Sequence, residues 1–137
     1  MGIYKELTDY IPTLHGGEYG QWVIDTEGKG TIESPIQMPY VSYRSIVRRF
    51  QNDVYEFMEN HPAYALNEYQ KILEANNIQW ETNSMKTEDV SALDGRCIMA
   101  LLVGVLRADR FCEGTLLRFF ESGTIEKWLL RLKEIDN

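Results

Sequence analysis

The feature that most constrains the fold of this chain is an apolar run of ten residues, Cys97 to Leu106. A helix that crosses a bilayer requires about 20 such residues, so we expect this run to form a buried helix. Thr87, Glu88 and Asp89 precede it, and a hydroxyl followed by acidic side chains is typical of a helix start. Because a helix that is apolar on nearly all sides belongs at the centre of a domain, we predict a central helix over about residues 88–110.

The sequence around this run predicts a mainly α fold of the α+β class. Apolar side chains recur at three- and four-residue steps in several other segments, which is typical of amphipathic helices. We expect a compact bundle of about five to six helices around the central one, with Ser42 and Thr124 as N-caps and Gly123 just beyond a helix end. The segments with this pattern are 3–11, 42–60, 62–76, 115–122 and 124–136.

A small β-hairpin is expected near residues 20–35. Gln21 to Thr26 is rich in β-forming side chains, and residues 27–30 contain two glycines that suit a turn. The segment Ile36 to Val41 can extend this element. Ile78 and Trp80 alternate with polar neighbours, which predicts one further short strand.

Length and composition predict one cytosolic domain, residues 1–137. A chain of 137 residues can bury a core of its own, and it contains no repeat or low-complexity linker. The opening MGIYKELTDY lacks the apolar segment of a secretory signal, so we expect a cytoplasmic protein without a membrane partner. Cys97 and Cys112 fit reduced thiols better than a disulfide framework. His15 and His61 show no ligand spacing, so we expect neither a metal nor a cofactor.

The charge distribution disfavours nucleic acid as a partner. The formal net charge is −7, divided into −4 for residues 1–41, −3 for residues 42–106 and 0 for residues 107–137. Only the last segment can present a local basic face. There, residues 115–133 fit a helix-turn-helix whose second helix carries Lys127, Arg131 and Lys133, although any αα corner has the same pattern of helix, glycine and helix.

The most distinctive sequence is the octapeptide RADRFCEG, residues 107–114, directly after the apolar run. Arg107 and Arg110 are three residues apart and share a helix face, so they can bind a phosphate or a carboxylate. Cys112 beside Arg110 is a weak candidate nucleophile, and Asp109 or Glu113 a weak candidate general acid or base. The alternative is structural: an ion-pair network at the end of the central helix, with Cys112 packed as a small apolar side chain.

RADRFCEG, together with Gly123-Thr124-Ile125 and Trp128 to Leu132, resembles a family of small uncharacterised prokaryotic proteins that is classed as a domain of unknown function. That family shows an Arg-x-acid-Arg-Phe-Cys-acid-Gly core followed by Gly-x-Ile and Arg-Leu. Gly20 to Trp22 and Tyr43 to Phe50 resemble it more weakly. The resemblance implies a bacterial or archaeal cytosolic protein and no particular substrate.

The tyrosines are concentrated in the first half of the chain, where they suit a half-buried recognition surface. Our leading hypothesis is therefore a non-enzymatic binding or regulatory module that binds a protein partner or a second copy of itself. The alternative is an enzyme that acts on an anionic small molecule or nucleotide-like substrate through Arg107, Arg110 and Glu113. DNA binding through residues 115–133 is the third hypothesis. The tyrosines are Tyr4, Tyr10, Tyr19, Tyr40, Tyr43, Tyr55, Tyr64 and Tyr69.

Overall fold

The computed structural model describes residues 2–14, 18–24, 30–31 and 38–137. These residues form a helical bundle with a small antiparallel sheet, which confirms the predicted mainly α fold. The helices are α1 (Lys5–Thr8), α2 (Ser45–Asn60), α3 (Tyr69–Ala75), α4 (Thr82–Thr87), α5 (Gly95–Phe111), α6 (Thr115–Glu121) and α7 (Thr124–Asp136), and the strands are β1 (Gly20–Val23) and β2 (Tyr40–Tyr43). Short 3₁₀ turns cover Ile11–Leu14, Pro62–Tyr64 and Leu66–Glu68. No helix in the described part of the chain is both long and apolar enough to span a membrane.

Helix α5 is the centre of the bundle, as its apolar run predicts. Every residue from Cys97 to Leu106 is buried, and α2, α3, α6 and α7 all pack against this helix. The buried side chains of the described residues form one contiguous cluster that surrounds it. The apolar run therefore has no solvent-facing side, because other helices cover it on each flank.

The central helix starts at Gly95, so the predicted start at residue 88 is wrong. The Asp94 carboxylate accepts a hydrogen bond of 2.8 Å from the Cys97 amide and caps the helix there. In the preceding segment, Lys127 of α7 donates to the carbonyls of Lys86 and Glu88 at 3.1 and 3.2 Å. The Lys86 carbonyl belongs to the end of α4, and the Glu88 carbonyl belongs to the irregular backbone that connects α4 to α5.

The sheet is antiparallel, with Gly20 opposite Tyr43 and Val23 opposite Tyr40. The first predicted strand is therefore confirmed, whereas its partner lies at Tyr40–Tyr43, after the predicted position. Residues 32–35 of the predicted second strand lie outside the described residues. Ser42 pairs with Gln21 inside the sheet, so it does not cap α2, which begins at Ser45.

Three further predictions fail for local reasons. Ala65 has a left-handed backbone (φ 49°), which divides the predicted helix over 62–76 into two 3₁₀ turns and α3. The strand predicted around Ile78 does not form, because its amide donates to the Leu73 carbonyl at the end of α3. Gly123 ends α6 with φ 79°, as predicted, but Thr124 is the first residue of α7 and its hydroxyl bonds Ser122 at 2.8 Å.

Candidate functional site

The octapeptide RADRFCEG forms the corner between α5 and α6. Helix α5 ends at Phe111, and Gly114 has φ +89°, a conformation that favours glycine. A Cβ atom on Gly114 would lie 2.4 Å from Cζ2 of Trp22 in β1. Two features therefore favour glycine at this position: the backbone conformation and the close packing of Trp22 on the corner.

The Asp109 carboxylate connects the corner to the sheet. Its Oδ1 accepts hydrogen bonds from the Leu116 amide at 3.0 Å and from the Tyr43 hydroxyl at 2.9 Å. The Leu117 amide donates to the same hydroxyl at 3.2 Å. Burial and the neighbouring Asp109 carboxylate raise the pKa of Tyr43 well above its usual value. Asp109, which belongs to α5, thus accepts a hydrogen bond from one of the amides that the first turn of α6 leaves without a backbone partner.

The Glu113 carboxylate also binds backbone. Its Oε1 accepts a hydrogen bond of 2.8 Å from the Val41 amide in β2. Both acids of the octapeptide are therefore bound to the α6 start and the sheet, which is a structural role. This arrangement differs from the predicted ion-pair network, in which these acids would bind the neighbouring arginines.

Neither arginine of the octapeptide forms an ion pair within the described residues. The Arg107 guanidinium lies 5.9 Å from the Tyr55 ring centroid, and its buried Nε has no hydrogen-bond partner among those residues. Arg110 is exposed to solvent. The two guanidinium groups therefore remain available to an anion. The carboxylates of Asp109 and Glu113, by contrast, already accept hydrogen bonds from the protein.

Cys112 is exposed, and its Sγ lies 3.9 Å from Nη2 of Arg118. His61 lies elsewhere, because it stacks on Phe57 with 3.9 Å between ring centroids and bonds the Phe57 carbonyl. The other histidine, His15, lies outside the described residues. The described structure therefore places a guanidinium, and not an imidazole, beside this thiol.

The two thiols are expected to differ in reactivity. Cys97 is fully buried and burial raises its pKa to about 11, whereas Cys112 is solvent-exposed. We expect iodoacetamide to alkylate one cysteine per native chain, identified as Cys112 by peptide mass spectrometry, and both cysteines after denaturation. Alkylation of Cys97 in the native protein would contradict the packing of α5.

A groove with aromatic walls lies beside the end of α5, and we call it the aromatic groove. Its volume is about 440 Å³. The Trp80 ring forms edge-to-face pairs with Tyr69 and with Phe111, with ring centroids 5.5 and 6.3 Å apart. Phe111 is 82% exposed. The apolar lining consists of Tyr69, Trp80, Met85, Ala108 and Phe111, with Cys112 at the same site.

Two small residues of α5 lie beside the aromatic groove: Ala108 lines it, and the Gly104 carbonyl binds Trp80. Gly104 and Ala108 are one turn apart, and a Cβ on Gly104 would lie 3.4 Å from Cδ1 of Trp80. The Trp80 indole donates a hydrogen bond of 2.9 Å to the Gly104 carbonyl, which fixes the ring against the helix. Sequence reasoning missed this site. The signal was present as small residues at every fourth position of α5, Ala100, Gly104 and Ala108, on the helix that ends at Phe111.

Glu81, the acidic residue that lines the aromatic groove, caps helix α4. Glu81 accepts hydrogen bonds from the amides of Asn83 and Ser84 at 2.9 and 3.1 Å, and thereby caps α4. These bonds hold the pKa of Glu81 below its usual value. The carboxylate is therefore turned toward the α4 backbone.

The other predicted surfaces are occupied by internal contacts. In α7, Lys127 holds the segment before α5, and Arg131 donates to the Leu93 carbonyl at 3.0 Å. The helix that would face DNA therefore uses two of its cations within the protein.

Most tyrosine hydroxyls also bond protein groups: Tyr4 bonds Tyr64 at 2.7 Å, Tyr10 donates to Asp53 at 2.5 Å, Tyr19 donates to the Leu14 carbonyl and Tyr43 donates to Asp109.

No group of three His, Cys, Asp or Glu side chains suited to a metal ion occurs among the described residues.

Sequence comparison identifies one family, described as a family of unknown function (DUF6508), whose profile matches residues 4–137. No curated protein and no solved structure matches the chain. Since the match extends over nearly the whole sequence, this chain belongs to the DUF6508 family of unknown function.

Proposed function

We propose that this chain is a non-enzymatic binding module and that the aromatic groove is its recognition site. The observation that carries the proposal is Phe111, a large apolar side chain that is 82% exposed and forms a wall of a groove lined by Trp80 and Tyr69. Exposed aromatic side chains beside a preformed apolar cavity are typical of recognition sites. Burial of this surface by a ligand would release water from it, which is the main driving force of most association.

The geometry gives less support to the enzyme hypothesis. That hypothesis assigns proton transfer to Asp109 or Glu113, but the Asp109 and Glu113 carboxylates accept backbone hydrogen bonds at 3.0 and 2.8 Å. It also requires a base near Cys112, but the polar side chain beside this thiol in the described structure is Arg118. The anion-binding half of the hypothesis retains support, because Arg107 and Arg110 form no ion pair within the described residues.

The test is the binding of Nile red, a neutral apolar dye, to the native protein. We expect saturable enhancement of dye fluorescence, and we expect Phe111→Ala to weaken binding about tenfold, because it removes one groove wall. Stability should change little, since Phe111 is mostly exposed.

Leu130→Ala is the matched control, because Leu130 is a 43% exposed side chain of α7. It should leave dye binding unchanged. Equal dye binding by wild type and Phe111→Ala, with unchanged thermal melts, would rule out the aromatic groove as the binding site.

Two further parts of the proposal concern the whole chain. The contiguous core supports one domain over residues 1–137, and the two cysteines, both without a disulfide, support a cytoplasmic location. The partner is a protein, either a different chain or a second copy. Nucleic acid is the weaker candidate because of the net charge of −7.

A further inference from the structure

We infer that the aromatic groove binds the trimethylammonium group of a methylated lysine side chain on the partner protein. The inference rests on the proposed function and adds the chemistry that the same groove recognises. It follows from three aromatic rings, from the one charged side chain of the groove and from its mainly apolar lining.

The walls of the aromatic groove are three aromatic side chains. The Trp80 ring makes an angle of 71° with the Tyr69 ring and of 83° with the Phe111 ring. In an edge-to-face pair, the space beside the contact is bounded by a face of each ring, whereas stacked rings cover each other's faces. A ring face attracts a cation that lies within about 6 Å of its centroid. With centroids 5.5 and 6.3 Å apart, one cation can contact Trp80 and a neighbouring ring together.

Glu81 gives the groove a negative charge. It is the one charged side chain among the described residues of the lining, and it is exposed. The hydrogen bonds from the Asn83 and Ser84 amides stabilise its ionised form and leave its charge in place. A trimethylammonium group is attracted by the charge alone and forms no hydrogen bond, so it does not compete with the cap of α4. The ring faces and Glu81 therefore favour the same kind of ligand, a cation.

The arginines near the groove do not reverse this preference. Arg107, Arg110 and Arg118 lie outside the lining, although the Arg118 guanidinium is 3.9 Å from a thiol that belongs to it. The carboxylates of Asp109 and Glu113 lie in the same corner and keep their negative charge when they bind backbone amides. Three positive and two negative charges thus surround the groove, and the carboxylate within the lining balances the remainder.

The mainly apolar lining favours a cation without N–H donors. The ammonium group of lysine and the guanidinium group of arginine carry such donors, and burial against Trp80, Met85 and Phe111 would leave some of them without an acceptor. A trimethylammonium group has no donor, and its methyl groups bury apolar surface. The apolar stem of lysine leaves the groove on its open side, where Glu81 and Phe111 are exposed.

The test uses fluorescence anisotropy with three labelled heptapeptides of one Gly- and Ser-rich sequence. The central residue is trimethyllysine, its neutral isostere with carbon in place of the quaternary nitrogen, or unmodified lysine. We expect the trimethyllysine peptide to bind about fivefold more tightly than either of the others. Phe111→Leu keeps an apolar side chain but removes a ring face. It should weaken binding of the trimethyllysine peptide about fivefold and change Nile red binding by about twofold at most.

Charge substitutions test the sign of the ligand. Glu81→Gln should weaken binding of the trimethyllysine peptide about threefold, whereas Arg118→Gln should not weaken it. Glu59→Gln is the matched control, because it removes a negative charge from an exposed position of α2 outside the groove, and it should leave binding unchanged. Thermal melts show whether Glu81→Gln retains the fold, and Phe111→Leu, at an exposed position, does not depend on the α4 cap.

Equal affinity for the trimethyllysine peptide and its neutral isostere, or unchanged affinity in Phe111→Leu, would overturn the inference. Weaker binding in Arg118→Gln would also overturn it, because an anion would then be the preferred ligand. Choline that binds more tightly than the peptide would show that the ligand is a free small cation and not a side chain of a partner. If Nile red binds and the trimethyllysine peptide does not, the groove remains a binding site and only its ligand class is wrong.

Discussion

Substitution of Asp109 by alanine is expected to lower the free energy of unfolding by about 2–4 kcal/mol. The carboxylate accepts from the Leu116 amide and from the Tyr43 hydroxyl, so its removal leaves two partly buried donors without an acceptor. It also removes the cap at the start of α6, and this helix carries the buried Phe119 and Phe120. Urea denaturation of the purified variant measures the change.

Two substitutions serve as controls for this result. Asp109→Asn keeps an oxygen acceptor at the same position, so it should cost less than Asp109→Ala. Arg110→Ala changes the exposed neighbouring residue and should stay within about 0.5 kcal/mol of wild type. If Asp109→Ala were as stable as Arg110→Ala, the structural role of this acid would be wrong and the general-acid hypothesis would regain its support.

Substitution of Gly114 by alanine should lower the free energy of unfolding by about 2–3 kcal/mol. Two causes contribute: a φ of +89° strains any residue with a Cβ atom, and that atom would lie 2.4 Å from the Trp22 ring. Trp22 is 47% exposed, so its ring can turn away from α6, but the packing of β1 on the corner is then lost.

Gly123→Ala is the matched control, because Gly123 has φ +79° and no atom lies within 4 Å of the added Cβ. It should cost only the backbone strain, about 1 kcal/mol. A double-mutant cycle with Trp22→Ala isolates the remainder. Equal effects of the two glycine substitutions would contradict the contact between Trp22 and the corner.

The parts of the fold that depend on local pattern could be predicted from the sequence. The apolar run from Cys97 to Leu106 required a buried helix, and Gly123 ended α6 as expected. The start of α5 could not be predicted, because Thr87 and Asp94 are both acceptable caps. Between the two lies a long-range contact, in which Lys127 of α7 binds the carbonyls of Lys86 and Glu88, and no local pattern shows it.

The candidate site was partly visible in the sequence. RADRFCEG lies at the corner beside the aromatic groove, and anion binding by its arginines stays a prediction. The roles of its acids depend on Val41, Tyr43 and Leu116, and no local pattern pairs Glu113 with a strand amide 72 residues away. The groove was missed because Trp80, expected in a strand, lies against Gly104 through an indole hydrogen bond.

The central claim, that this chain binds a partner in the aromatic groove, is tested most directly by the indole N–H signals in proton–nitrogen correlation NMR. The chain has three tryptophans, and these report on the groove (Trp80), the corner (Trp22) and the core (Trp128). On titration with Nile red, the probe of the aromatic groove, we predict a saturable shift of the Trp80 signal, with the Trp128 signal unchanged and the Trp80 shift lost in Phe111→Ala. A Trp80 signal that does not move at saturating Nile red would contradict the claim.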